Sequence, residues 1–563
     1  MMLSYGWTQR QLLRVLSIIS GGVCCILLTG LVLALGFQLH QYLVLIDYVV
    51  PYVVMYVISE RILAWVLASF YWRELVRRVS DSLVMVPLVS WVAPTYSISP
   101  SLTYLALIGV IMGRLPDIKQ LINLIRFRPG QLIVMAFLTA IVIGSTLLSL
   151  PLASATNQSI PIVDAIFTAT SAICVTGLVV NDISTEFSRF GQSIILLLVQ
   201  VGGLGIMAFS AFLSLILQRK MSQSHVQFLQ EGVSAEGKES AFKTLKSIFK
   251  VTLIVECIGA VLLTSVWFWQ SGQWSDSLYF GVFHSISAFC NAGFSLFSNG
   301  LIDYAASWPV AIIIGALIIL GGIGFPVLYN ILQVISNRDH VFLKSHTKIV
   351  LWASLGLLLI GTSLILALEY NNALAHLDWP AKIMNAFFQS ITTRTAGFST
   401  IDISTCQSST LVLMMALMYI GAAPGSTGGG IRVTTVSIMI GTLFQIMTGR
   451  TELNFFKRKV PVVTQNRALA IGMISLIVVG MFLFLMLQIE TISFLPAVFE
   501  VISAFGTVGL SLNVTPSLSI AGKVLIMILM FIGRIGALSL TFAIARQSKL
   551  GDYHYPEERV PLV

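Results

Sequence analysis

Apolar stretches of about 20 residues recur from one end of this chain to the other, the length a helix needs to cross the hydrocarbon of a bilayer. Runs near 16–37, 43–71, 82–94 and 99–113 open the chain, and more follow to its C-terminal end. In hydrocarbon every backbone amide and carbonyl must be paired inside the protein, so such a chain is restricted to bundled helices. Only 10% of the 563 residues are charged, against about a quarter in a soluble chain. That is too little charge to cover a globular surface and enough to dress loops. The expected class is therefore an all-α polytopic membrane protein. The net charge of +9 reads as the positive-inside bias of such proteins. A nucleic-acid partner is not expected, because the basic residues sit in short segments between apolar runs and form no patch. The six cysteines, Cys24, Cys25, Cys174, Cys257, Cys290 and Cys406, form no CxxC pair. Neither a metal site nor a disulfide framework is expected from them. Arg10 and Arg14 precede the first apolar run, and no small-residue cleavage site clearly follows, so that run reads as a retained helix.

Internal repetition organises the rest. SAICVTGLVV (171–180), SAFCNAGFSL (287–296), TTRTAGFSTI (392–401) and SAFGTVGLSL (503–512) resemble one another. Each centres on a glycine, Gly177, Gly293, Gly397 or Gly509, separated by 116, 104 and 112 positions. Upstream of each lies a long apolar run, a polar break and a short helix-like segment. Downstream lies an apolar run interrupted by glycines: GGLG (202–205), GGIG (321–324), GGG (428–430) and GRIG (533–536). The pattern predicts helix, short re-entrant helix, glycine loop and helix, four times over, with cores at 129–218, 247–336, 346–446 and 462–546. Residues 1–128 stand outside it and read as four additional helices of unassigned role; 547–563 reads as a cytoplasmic tail.

The connectors between cores carry Arg219, Lys220, Lys344, Lys348, Lys457 and Arg458 among others, which places them in the cytoplasm and the glycine loops toward the outside. The outer segments hold Asp182, Glu186, Asp276, Asp303, Glu369, Asp378, Asp402 and Glu490. An acidic mouth would concentrate cations; ordinary loop solvation accounts for these residues equally well.

A cation stripped of water in a bilayer needs oxygen ligands, and backbone carbonyls supply them without a fixed charge that would trap it. Turning several carbonyls toward one axis requires unusual dihedrals, which glycine allows. One glycine would be read as close helix packing; four in matching contexts point to a ring of loops around a pseudo-fourfold pore. Arg534 lies in the apolar run of the fourth core, and an arginine at membrane depth is costly and usually functional. Arg394, three residues before Gly397, would repel cations if it pointed inward. It is expected behind the loop, braced by a carboxylate, with Glu500 the first candidate and Asp402 the second. Asp164 reads as an N-terminal helix cap.

QSITTRTAGFSTID (389–402), IGAAPGSTGGGIRVTT (420–435), FEVISAFGTVGLS (499–511), MFIGRIG (530–536) and YPEERVPLV (555–563) together resemble the Trk/Ktr/HKT potassium transporters, within them most nearly the bacterial Ktr membrane subunit, over about residues 128–563. The resemblance implies four tandem M1–pore helix–filter loop–M2 repeats. It implies a selectivity filter of Val175, Thr176, Gly177, Asn291, Ala292, Gly293, Thr395, Ala396, Gly397, Thr507, Val508 and Gly509, whose carbonyls would coordinate K+. It further implies an intramembrane gate loop of Pro424, Gly425, Ser426, Thr427, Gly428, Gly429 and Gly430, faced by Arg534 from below the filter. No lysine follows those glycines in GxxxxGK[ST] spacing, so a phosphate loop is not the reading; a plain helix kink remains the simpler alternative. Ala422, Ala423 and Arg432 depart from the family pattern. The resemblance also implies K+ uptake across a bacterial plasma membrane, with Na+ as an admissible stimulating ion. It implies a homodimer and a cytoplasmic RCK-type nucleotide-binding regulatory subunit. A Trk-type subunit, or one passing sodium too, is the near alternative. An enzyme is not expected, since HExxH, GxSxG and an intramembrane aspartate pair are all absent.

Overall fold

The computed structural model describes residues 129–204, 238–335 and 342–536. The expected N-terminal helices, most of the first connector and the tail lie outside these residues. The described chain is helical apart from a two-residue hairpin, β1 (Asn454–Phe455) with β2 (Arg458–Lys459). Its helices longer than one turn are α1 (Pro129–Leu148), α2 (Ile162–Cys174), α3 (Arg189–Gly203), α4 (Lys238–Ser271), α5 (Trp274–Phe289), α6 (Trp308–Ile323), α7 (Phe325–Ile335), α8 (Ser345–Glu369), α9 (Trp379–Thr392), α10 (Ser408–Tyr419), α11 (Val433–Met447), α12 (Val462–Ile489), α13 (Phe494–Gly506) and α14 (Ile520–Ile535).

Among the described residues three stretches, Ser247–Ser271 of α4, α8 and α12, are long and apolar enough to cross a membrane; the bent pair α6–α7 makes a fourth if it counts as one span. They carry large apolar side chains on the outside: Trp352, Met473, Leu476 and Phe484 are each more than 60% exposed. Water would make that surface costly by about 1.5–3 kcal/mol for each large side chain, whereas lipid would not. Within the described residues, downstream helices bend or end at glycines. α6 and α7 meet at an angle of 100° across Gly324, whose φ is +94°. α14 stops at Gly536 (φ +87°), and α10 stops at Tyr419 before a loop holding Gly425 and Gly430 at φ +71° and +69°. Left-handed dihedrals end a right-handed helix, and glycine is what permits them.

Each long helix packs on the short helix that follows it: α1 on α2, α4 on α5, α8 on α9 and α12 on α13. The helix after each central glycine also packs on the next short helix: α3 on α5, α6 on α9 and α10 on α13. The last of them, α14, packs on α2, so the chain closes on itself in a ring. Apolar clusters fill the seams, with Phe289 and Phe388 in one, Phe187 and Phe294 in another and Phe499 in a third, all almost wholly buried.

Candidate functional site

The four short helices point their C-terminal ends at the centre of the ring. Each ends in the same backbone figure. Val175, Asn291, Thr395 and Thr507 have left-handed φ of 56°, 59°, 71° and 50°; two residues on, Gly177, Gly293, Gly397 and Gly509 have φ of 91°, 71°, 80° and 93°. Thr176, Ala292, Ala396 and Val508 between them have negative φ. In an ordinary strand successive carbonyls alternate in direction; alternating the sign of φ turns them to the same side. The amides turn the other way. Thr176, Ala292, Ala396 and Val508 donate at 2.8, 2.8, 3.0 and 2.9 Å to Ser171, Ser287, Thr392 and Ser503 carbonyls in the short helices behind them. The hydroxyls of those four residues finish the support. Ser171 and Ser503 accept from Gly177 and Gly509 N–H at 3.1 and 3.2 Å, while Ser287 and Thr392 donate to Phe294 and Phe398 carbonyls at 2.8 and 2.5 Å.

The four glycines form a closed cycle. A Cβ added to Gly293 would lie 2.7 Å from the Ala396 carbonyl oxygen, and one on Gly397 would lie 2.5 Å from that of Val508. One on Gly509 would strike the Thr176 oxygen, and one on Gly177 the Ala292 oxygen. No side chain fits at any of the four. Among the described residues, no hydrogen bond reaches the carbonyls of Val175, Thr176, Asn291, Ala292, Thr395, Ala396, Thr507 and Val508. All eight residues are fully buried, and buried backbone acceptors are almost always partnered. The hydroxyls of Thr176 and Thr507 are likewise buried without a partner. The Asn291 amide lies 3.3 Å from Thr395 Oγ1; with its nitrogen turned to the Ala288 and Ile318 carbonyls, at 3.1 and 3.2 Å, it leaves its oxygen for that hydroxyl.

The loop 421–430 lies against this ring. A Cβ on Gly428 would meet Thr395 Oγ1, and one on Gly429 would meet Thr507 Oγ1. Backbone bonds fix the loop from several sides: Ala423 N–H to Gly322 O (3.0 Å), Phe325 N–H to Gly425 O (3.0 Å), Thr427 N–H to Gly321 O and Gly430 N–H to Gly533 O (both 3.3 Å). Pro424 and Ser426 turn the chain between these anchors. Ala422 and Ala423 are wholly buried, so their small side chains are part of the fit. Arg534 is 2% exposed and bridges the Thr427 carbonyl to the Gly202 carbonyl at the end of α3. Arg432 donates to the Gly428 carbonyl. Its part in holding the loop was not anticipated from sequence, where it stood out only as a departure from the family pattern.

Several expectations need correction. Arg394 does point away from the axis, but among the described residues no carboxylate braces it. Its Nη2 donates to Ser354 Oγ of α8 at 3.0 Å and its Nε has no partner. Glu500 accepts instead from the Thr515 hydroxyl, and Asp402 from Ser404. The reason is direction: Arg394 faces α8, the long helix of its own unit, whereas Glu500 lies in the next unit. Asp164 is no cap either. It sits inside the first turn of α2, two residues past the start, and pairs with Lys523 Nζ of α14 at 2.6 Å. The outer carboxylates are largely engaged locally. Glu369 is wholly buried and accepts from Gln407 N–H (2.9 Å) and the Thr410 hydroxyl at the start of α10. Glu490 accepts from Ser519 N–H (2.9 Å), Asp182 caps Ser184 (2.9 Å) and Asp276 pairs with Arg189 (2.8 Å). Capping and pairing account for these residues better than a cation-gathering mouth.

A family model, TrkH, described as a cation transport protein, matches residues 118–552. The chain belongs to this family of cation transport proteins. It is 38% identical over 443 residues to the Ktr system potassium uptake protein B of Bacillus subtilis, covering 78% of this chain and 98% of that protein. It is 35% identical to the potassium/sodium uptake protein NtpJ of Enterococcus hirae, covering 78% and 98%. The crystal structure of the potassium transporter TrkH from Vibrio parahaemolyticus shares the fold, with a TM-score of 0.61 at 18% identity over 84% of this chain and 97% of that one. The family membership agrees with the expectation of a transporter and not an enzyme.

Proposed function

We propose that the chain takes up potassium ions through the centre of the glycine ring, with the four carbonyl pairs as the selectivity filter. The observation that carries this reading is the set of eight buried, unpartnered carbonyls on a closed cycle of four glycines. Such oxygens are costly unless a cation or water takes them, and a row of neutral dipoles binds a cation firmly enough to strip its water yet weakly enough to release it. The ends of the four short helices add their negative dipole poles to the same centre. On this reading the four units are pore repeats and 421–430 is the gate. Arg534 and Arg432 pin the gate across the path and set positive charge in it. The relatives named as potassium uptake proteins support potassium as the cargo. The relative named for potassium and sodium makes sodium a second ion to test.

By the same family logic the subunit pairs as a homodimer in the plasma membrane and is opened from the cytoplasm by an RCK-type nucleotide-binding partner. The deciding experiment is rubidium uptake by a cell lacking its own potassium transport, with sodium as competitor. Uptake that saturates and resists excess sodium is expected. Equal competition by sodium would remove the potassium reading and leave a non-selective cation path.

A further inference from the structure

One carboxylate sits where a membrane helix tolerates it least. Glu256 lies within the span Ser247–Ser271 of α4 and is 6% exposed. One carboxylate oxygen accepts from Gln200 Nε2 of α3 at 3.2 Å; the other faces the Cys290 thiol at 3.8 Å. Among the described residues no lysine, arginine or histidine pairs with it, and Thr252 one turn earlier has a buried hydroxyl without a partner. An intramembrane carboxylate without a counter-ion is expensive and calls for a role.

The third unit shows that packing alone does not ask for it. Ser285 of α5 donates to the Glu256 carbonyl at 2.7 Å, and Ser390 of α9 donates to the Leu358 carbonyl at 3.1 Å. Three residues on, Gly259 and Gly361 lie against those same two serines. Glu256 and Leu358 are thus equivalent positions, and a leucine fills the second. What differs is the neighbour. Cys290 is three residues before Gly293, and its Sγ lies where a Cβ on Gly203 would be. Gly203 adjoins Gly202, whose carbonyl seats Arg534. Gln200 is one short step back on the same helix end.

We propose that Glu256 is a positioning residue for the gate, holding through Gln200 and Cys290 the glycine end of α3 on which Arg534 rests. The inference rests on reading 421–430 as that gate. The carboxyl acts as an acceptor for two donors from two different elements, so it fixes α3 relative to the base of the second filter loop. Without it, Gln200 and Cys290 lose their shared partner, the end of α3 loosens, and Arg534 loses one of its two anchors.

The test uses the full-length protein, with rubidium uptake normalised to the amount of folded subunit in the membrane. Glu256→Leu installs the third unit's own solution. It should raise maximal uptake per molecule by about threefold or more, the scale of losing one ordinary hydrogen bond. The half-saturating rubidium concentration and the discrimination against sodium should not move. Glu256→Gln keeps the shape and one acceptor oxygen for Gln200 Nε2, with its amide nitrogen turned to the Cys290 sulfur, and should give a rate nearer the wild type than Glu256→Leu does. A purely structural role would change the amount of folded subunit and not the rate per molecule. The proposal is overturned by an unchanged rate in Glu256→Leu, by Glu256→Gln behaving like Glu256→Leu, or by a shift in half-saturation or selectivity. Should Glu256→Leu fail to fold, Gln200→Leu removes the same bond from α3 and carries the same expectations. A shortened 421–430 loop is measured alongside. If shortening leaves flux unchanged, the gate reading fails and this inference with it; if only shortening raises flux, Glu256 alone is refuted.

Discussion

Gly397→Ser is the sharpest perturbation the ring offers. The residue sits at φ +80°, where a side chain costs about 1–2 kcal/mol. Its Cβ would start 2.5 Å from the Val508 oxygen, inside the 3.0 Å that such atoms respect, so one carbonyl must retreat by at least 0.5 Å. The neighbours cannot absorb this cheaply, because the same Cβ would also stand 3.1 Å from Gly293 Cα and 3.4 Å from Gly509 Cα. If the ring replaces an ion's hydration shell as proposed, one displaced oxygen lowers the advantage of the ion it fits. If about 1.4–2.8 kcal/mol of that advantage is lost, discrimination falls by roughly ten- to a hundredfold. The assay is the sodium concentration that halves rubidium uptake, compared at equal subunit abundance. Gly356→Ser is the control: it lies on the α8 surface, φ is not positive, and an added Cβ meets nothing within 4 Å. The reasoning is refuted if Gly397→Ser reaches the membrane normally and keeps wild-type discrimination.

Removing Gly428 and Gly429 should raise maximal flux while leaving discrimination intact, because these residues touch Thr395 and Thr507 from outside the ring; uptake per molecule checks both. Glu369→Gln should lower the thermal midpoint in detergent, since the carboxylate accepts from Gln407, Thr410, Asn372 and Ala373 and an amide would present a donor to donors, at about 1–3 kcal/mol.

Hydrophobic pattern and glycine spacing made much of the architecture legible. The short helix expected before each central glycine is present in all four units, as α2, α5, α9 and α13. Apolar runs and left-handed glycines are local signals. Which polar side chains meet across the ring is not local, and neither spacing nor composition reveals it. Asp164 looked like a cap because it lies near a helix start, and its partner Lys523 is 359 residues away. Arg394 was assigned a carboxylate by chemistry alone, whereas the direction of its side chain gives it Ser354. Glu256 carried a usable signal, a carboxylate inside TLIVECIGA, by the same rule that drew attention to Arg534.

The seam between the fourth unit and the first differs from the other three in having no short chain connection across it. Among the described residues, side-chain and backbone contacts close it at three levels: Asp164 with Lys523 near the helix starts, Thr176 against Gly509 in the ring, and Gly202 with Arg534 beneath. Arg534 therefore serves closure as well as the loop, and its substitution mixes the two effects. The outer pair separates them. Both partners are about 13–14% exposed, so breaking the pair should cost about 2–4 kcal/mol, more than an exposed pair such as Arg189–Asp276 would. Asp164→Asn should lower the thermal midpoint without raising flux, while Arg534→Gln should do both. If Asp164→Asn raises flux as much as Arg534→Gln, the arginine controls passage only by keeping the seam shut, and its charge in the path is incidental.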